Sequence, residues 1–322
     1  MPGQRPRNFL LARSASKGHL EPTSCPLLAR RANNVGCSGR IPGMSSIPPE
    51  HRPFLRAVVD RRLDDLPRLV YADYLEETDD PVFVARAKFI RAQIDPGTRK
   101  TEAEDYCRAL LNEHLRAWSG HLNTVLGAHI DTVRWNRGFA YWVPLSPFDI
   151  YEHGETLFND NPLHEMQLLT SAQDEPFEFL YTEDLPTIFE SGQGFVTHSF
   201  LSRLTKLQIG PHRSYMTSLR RMVGGAFRSA LLTNLVSLDI SDNPIEDTDV
   251  VWLLAMLQRA VFAGTLRELD LSYCRRITDA GANTLATAES LKNLSVLKLR
   301  GVPLGPVAMD MLHKRYGDGL VV

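Results

Sequence analysis

A chain of 322 residues is long enough for a substantial core and for two domains. With 43% hydrophobic and 23% charged residues it has the balance of an ordinary globular protein, and no apolar run reaches the about 18 residues of a membrane-spanning helix. The net charge of −2 conceals a basic start: residues 1–43 carry Arg5, Arg7, Arg13, Lys17, Arg30, Arg31 and Arg40 against Glu21 alone, +6 there and −8 in the remainder, which argues against a nucleic-acid-binding body.

Residues 1–43 are rich in Arg, Ser, Gly, Asn and Pro and show no periodicity. Phe9-Leu10-Leu11-Ala12 is too short for a secretory core, and Cys25 has no apolar run before it. A basic tail touching nucleic acid or membrane is one reading. A disordered leader, or translated upstream sequence with the true start at Met44, is the expectation. The four cysteines (Cys25, Cys37, Cys107 and Cys274) form no C-x-x-C pair, so free thiols in a reducing, cytoplasmic compartment are expected, with neither zinc nor a disulfide framework.

Helical periodicity begins after Pro48-Pro49. Phe54, Leu55, Val58 and Val59 make one buried face, and Asp64-Asp65-Leu66-Pro67 ends that helix and starts another. In the second helix Leu69, Ala72 and Leu75, with Val70 and Tyr74, are expected inward. A third spans Val84 to Ile94 with Ala87, Ile90 and Ile94 on one stripe, ended by Pro96-Gly97. A fourth runs from about Thr101 to Trp118 with Leu110, Leu111 and Leu115 inward. Asp73, Glu76 and Glu77 are helix neighbours that suit ion pairs to Arg68, Arg86 or Arg91 better than acid–base catalysis.

Phe54-Leu55, the run Arg68-Leu-Val-Tyr-Ala-Asp-Tyr-Leu-Glu-Glu77 and Arg86-Ala-Lys-Phe-Ile-Arg-Ala-Gln93 closely resemble the bacterial repeat-companion domain. Tyr74 stands where that family usually has Trp, and Lys88 where it usually has Glu. The resemblance covers about 50 residues and implies an architecture, a small all-α module at 44–120 placed ahead of repeats; it implies no activity.

Residues 129–145 alternate β-branched and aromatic side chains around Gly138, as two strands with a tight turn do. Arg137-Gly138-Phe139 also resembles a stretch that the family carries just before its repeats. The expected job is to cap the exposed first edge of the repeat sheet. A helix from Phe148 to Phe158 and a strand in Leu163-x-x-Met166-x-Leu168 follow. The next start, Leu204, is 41 residues on, and the insert is acidic at Asp174, Glu175, Glu178, Glu183, Asp184 and Glu190 with aromatics interleaved. It is read as an enlarged repeat, with a protruding lip as the alternative.

From Leu204 one pattern recurs: Leu204-x-x-Leu207-x-Ile209, Leu235-x-x-Leu238-x-Ile240, Leu266-x-x-Leu269-x-Leu271 and Leu294-x-x-Leu297-x-Leu299. The starts are 31, 31 and 28 residues apart. The second and third leucines share one face of a short strand, Asn243 and Cys274 stand where a side chain can bond the loop backbone, and Leu253, Leu285 and Leu312 lie on returning helices. This resembles the leucine-rich repeat proteins, and Cys274-Arg-Arg-Ile-Thr-Asp279 their cysteine-containing, ribonuclease-inhibitor-like subclass. The resemblance implies an α/β fold: an irregular solenoid over 121–322, of about five to six strand-plus-helix units.

No G-x-S-x-G, Walker A, H-E-x-x-H or EF-hand spacing is present. His164-Glu165 has Leu168 in place of a second His, and Gly192-Gln193-Gly194 lacks a third Gly. The acids Asp239, Asp242, Glu246, Asp247 and Asp249 suit helix capping better than calcium. The chain is therefore read as a non-enzyme without cofactor or metal, binding an unknown protein partner on the concave sheet, with no nucleic acid or membrane partner. The face expected to point to solvent is His164, Glu165, Gln167; Thr205, Lys206, Gln208; Val236, Ser237, Asp239; Arg267, Glu268, Asp270; and Ser295, Val296, Lys298. Gln167, Gln208, Asp239, Asp270 and Lys298, with Arg267, are the candidate contact residues, and their polar-to-acidic character suits a basic partner. The alternative is an enzyme or enzyme regulator with its site near Trp135–Trp142.

Overall fold

The computed structural model describes residues 48–95, 97, 100–169, 198–211 and 216–322. The leader 1–43 with Cys25 and Cys37, the acidic insert 174–190 and Gly192–Gly194 lie outside these residues.

Four helices come first: α1 (Arg52–Asp60), α2 (Leu66–Glu76), α3 (Pro81–Ile94) and α4 (Lys100–Trp118). Pro67 occupies the first turn of α2, and the Asp80 side chain caps α3 by accepting from the Val82 N–H. Leu55, Val58, Tyr71, Ala72, Leu75, Ala87 and Ile90 form one core. The α2 face departs from its expectation. Val70 is 45% exposed, whereas Tyr71 is 1% exposed and Arg68 is also buried. At 100° per residue, positions 68, 71, 72 and 75 share an arc, and Val70 lies about 200° from Ala72, on the far side. In α4 the buried residues are Cys107 and Trp118, while Leu110, Leu111 and Leu115 are half-buried. Trp118 Nε1 donates to the Val82 carbonyl at 3.1 Å, tying the end of α4 to the start of α3.

After α5 (His121–Leu126) and a 3-10 turn over Gly127–Thr132, strands β1 (Arg134–Asn136) and β2 (Phe139–Leu145) pair antiparallel. The strand expectation thus holds from 134, while 129–132 are wound as 3-10. Arg137 and Gly138 both have positive φ, 52° and 84°, as a two-residue hairpin of right-handed twist requires. Each residue of this Arg-Gly-Phe turn is used. Arg137 donates to the Leu63 carbonyl and pairs with Asp65 at 3.3 Å. The Gly138 N–H donates to Gln93 Oε1 at 2.7 Å, and a Cβ there would overlap Ile90. Phe139 enters the helical core beside Tyr71.

The sheet then grows in chain order: α6 (Pro147–Asp160), β3 (Glu165–Leu168), β4 (Lys206–Ile209), α7 (Met216–Arg228), β5 (Ser237–Asp239), α8 (Asp247–Leu257), β6 (Glu268–Asp270), α9 (Asp279–Thr287), β7 (Val296–Lys298), α10 (Pro306–Tyr316) and β8 (Leu320–Val321). Strand order is β1 to β8 without exception, and every pair from β2 onward is parallel. The product is a mixed α/β fold on an eight-stranded sheet. Leu204, Leu207, Ile209 and their counterparts through Leu299, with Leu253, Leu285 and Leu312 from the returning helices, belong to one continuous core.

Two sets of polar bonds repeat along this core. Asn243 Nδ2 donates to the carbonyl of Ile209, and Cys274 Sγ to that of Ile240, the equivalent residue one strand on. In the loops behind, Asp247 accepts from the Thr278 N–H, the Thr278 hydroxyl and the Gly281 N–H, while Asp279 accepts from the Gly305 N–H. The starts of α8, α9 and α10 are thus bonded in succession.

Candidate functional site

Parallel pairing in register aligns the strand positions that face away from the leucines into rows. One row reads Gln167, Gln208, Asp239, Asp270, Lys298 across β3 to β7. Beside it runs Glu165, Lys206, Ser237, Glu268, Val296. Five of the six candidate contact residues therefore share one row, and all five are half-buried. Arg267 lies just before β6, exposed.

The side chains are more engaged with their own protein than a solvated face implies. Lys298 Nζ stands 2.7 Å from Glu268 Oε1 and 4.0 Å from Asp270 Oδ2, so the row's cation bridges two strands. Burial works to raise the Glu268 carboxyl, but Lys298, Lys206 and Ser237 outweigh it and hold the pKa below the usual range. Asp239 Oδ1 accepts from the Ser241 N–H at 3.0 Å, and Asp270 Oδ1 from the Ser272 N–H at 2.9 Å. These are equivalent Asx turns, each closing the loop that leaves its strand. Gln167 Nε2 donates to the Gly210 carbonyl. One expectation needs correction. Ser237 is 8% exposed rather than solvent-facing, because it lies between Lys206 and Glu268 and its hydroxyl bonds Glu268. Arg267 is exposed, as expected, and its Nη1 also donates to the Gly264 and Leu266 carbonyls. Side-chain reach sets these bonds, and strand periodicity carries no record of it.

Several of the other acids serve the fold. Glu246 and Asp249 form a capping box at the start of α8, and the buried Asp249 carboxylate also pairs with Arg220, whose Nε donates at 2.7 Å. Asp73 and Glu76 pair with Arg91, as expected of a structural cluster, whereas Arg68 and Arg86 are buried elsewhere. Among the described residues no three His, Cys, Asp or Glu side chains converge as they would on a metal ion.

Near Trp135 there is a cavity of about 380 Å³ between α3, α4 and β1, walled by Phe89, Cys107, Leu111 and Trp135, with Glu104 and Arg108 also in its lining. Burial pushes the Cys107 thiol up, the opposite of what activates a cysteine nucleophile. Cys274 is likewise inert, pushed up to about 12 by burial. No described helix is long and apolar enough to cross a membrane.

A strand-and-helix unit repeated beside itself, with leucines inward and a row of polar side chains outward, is the class of structure that the C-terminal half defines. A leucine-rich repeat family model matches residues 232–251 and 265–286, the segments holding β5 with the start of α8 and β6 with α9. No curated protein matches the chain.

Proposed function

We propose that the chain is a non-catalytic protein-interaction scaffold: a leucine-rich repeat solenoid, preceded at 44–120 by a helical module of the bacterial repeat-companion kind, that receives a protein partner on its concave sheet face. Leucine-rich repeats in general mediate protein–protein contact, and the family match supports that much. The observation that carries the finer reading is the row Gln167, Gln208, Asp239, Asp270, Lys298, held in register on adjacent parallel strands. Together with its neighbour it holds four carboxylates (Glu165, Asp239, Glu268, Asp270) against two lysines, Lys206 and Lys298. Since Lys298 is already shared by Glu268 and Asp270, the surplus charge centres on Asp239 and Glu165, which suits a partner offering basic or amide groups. The cavity beside Trp135 supports the enzymatic alternative less well, because its one thiol is held protonated.

The test begins with capture of partners from lysate and continues as a titration of the captured protein against wild type and the Asp239→Asn/Asp270→Asn double variant. Asparagine keeps the side-chain oxygen that closes each Asx turn, so the fold stays intact while two charges go. Slower association and a shallower salt dependence are expected. Unchanged association at low salt moves the contact off this face.

A further inference from the structure

The core of the helical module holds two guanidinium groups against one phenyl ring. Arg86 on α3 is 7% exposed and Arg68 on α2 is 4% exposed. Their central carbons stand 5.2 and 5.8 Å from the Phe139 ring centroid, and that of Arg86 is 5.9 Å from the Tyr71 ring. The two differ in what they bond. Arg68 Nη1 and Nη2 donate to the carbonyls of Asp64 and Arg62 at 2.6 and 2.7 Å. Arg86 meets no carboxylate and no hydrogen-bond acceptor among the described residues, and its Nε is fully buried in that condition.

Neighbouring groups do not supply the missing charge. Burial pushes the Arg86 pKa down, and Tyr71 is the one group acting in the other direction. The Tyr71 phenol is itself raised by burial, hence neutral, and its hydroxyl is taken by His51 Nδ1 at 2.9 Å. His51 is lowered by burial and further by Arg86, so it too is neutral near pH 7. Contact with two aromatic faces recovers part of the hydration that a buried guanidinium loses, and the usual remainder comes from an anion. Nε is the one Arg86 nitrogen that is both fully enclosed and unpartnered, and the fork of Nη1 and Nη2 suits two oxygens of one group.

We propose that Arg86 anchors an oxyanion-binding site in the helical module, taking a carboxylate or phosphate group through Nη1 and Nη2 beside the Tyr71 and Phe139 rings. The site is independent of the sheet face, so either can fail without the other.

The experiment follows thermal unfolding of the full chain in inorganic phosphate, in acetate and in chloride, at equal ionic strength and pH 7, for wild type, Arg86→Met and Arg86→Lys. Phosphate stabilises many proteins by exclusion from their surfaces, so the readout is the difference between wild type and Arg86→Met. A saturable rise on the order of 3 °C at tenfold excess over Kd is expected in wild type and absent from Arg86→Met. Arg86→Lys, which keeps the charge without the fork, should respond several-fold more weakly. A response to phosphate alone assigns a phosphoryl source, and one to acetate assigns a carboxylate source. Equal curves for wild type in all three salts overturn the proposal. So does a response that survives in Arg86→Met, or an Arg86→Met protein melting well below wild type in chloride, since that guanidinium would then be a packing element sustained by its two rings.

Discussion

Asn243 offers the sharpest test of how neighbouring strand-and-helix units are joined. Its Nδ2 donates to the carbonyls of Ile209 at 2.9 Å, Ile240 at 2.9 Å and Ser241 at 3.0 Å, spanning its own loop and the strand before it. In Asn243→Ala the buried Ile209 carbonyl loses its side-chain donor, whereas the Ile240 carbonyl keeps the long bond from Cys274 Sγ and the Ser241 carbonyl is only part-buried. A buried acceptor left unpaired costs about 1–3 kcal/mol, which places the variant about 1–3 kcal/mol below wild type. Asn243→Asp keeps the shape but turns an acceptor toward the carbonyls, and should cost at least as much. Asn243→Cys should fall between, because Cys274 occupies the equivalent place with one long bond of 3.5 Å where Asn243 makes three. Urea unfolding with linear extrapolation gives the three differences on one scale. If Asn243→Ala lies within about 0.5 kcal/mol of wild type, or Asn243→Asp is tolerated, the bonded ladder is not what joins the units.

Leu269→Ala removes a fully buried side chain and should cost about 2–5 kcal/mol in thermal or urea melts. Glu268→Ala on the same strand should cost no more than about 1 kcal/mol, and less at high salt, because the Lys298 bridge that it breaks is partly exposed; equal losses at the two positions would show that the strand register is wrong. Asp247 carries a pH signature: burial works to raise its carboxyl, but bonds from Thr278 and Gly281 outweigh this and hold the pKa below the usual range. Its contribution is therefore complete above the ordinary carboxylate value of about 3.9 and is lost as pH falls through the depressed folded value. Asp247→Asn should lower stability at pH 7 by less than about 1 kcal/mol, because solvent screens the partly exposed carboxylate, and should converge with wild type in acid; parallel stability–pH curves would refute the assignment.

Residue spacing by itself determined the strands, their inward leucines and the row Gln167 to Lys298, because a strand alternates faces at every residue and parallel units repeat the same phase. It also determined the Arg137-Gly138 turn and the roles of Asn243 and Cys274, since few residue types satisfy positive φ or a loop carbonyl. Tertiary structure decided the rest. Helical spacing relates Val70 and Tyr71 to each other by angle, but which of them is buried depends on where Phe139 arrives, 68 residues later. The same holds for long polar side chains. Arg267 could reach solvent or its own loop, and Lys298 could stand alone or bridge Glu268 and Asp270. Arg86 reads in sequence as an ion-pair partner for Asp73 or Glu76, yet Arg91 takes both acids. Helix packing instead turns Arg86 inward onto Tyr71 and Phe139. A flexible side chain several bonds long samples many partners of similar energy, and only the packed neighbours select among them.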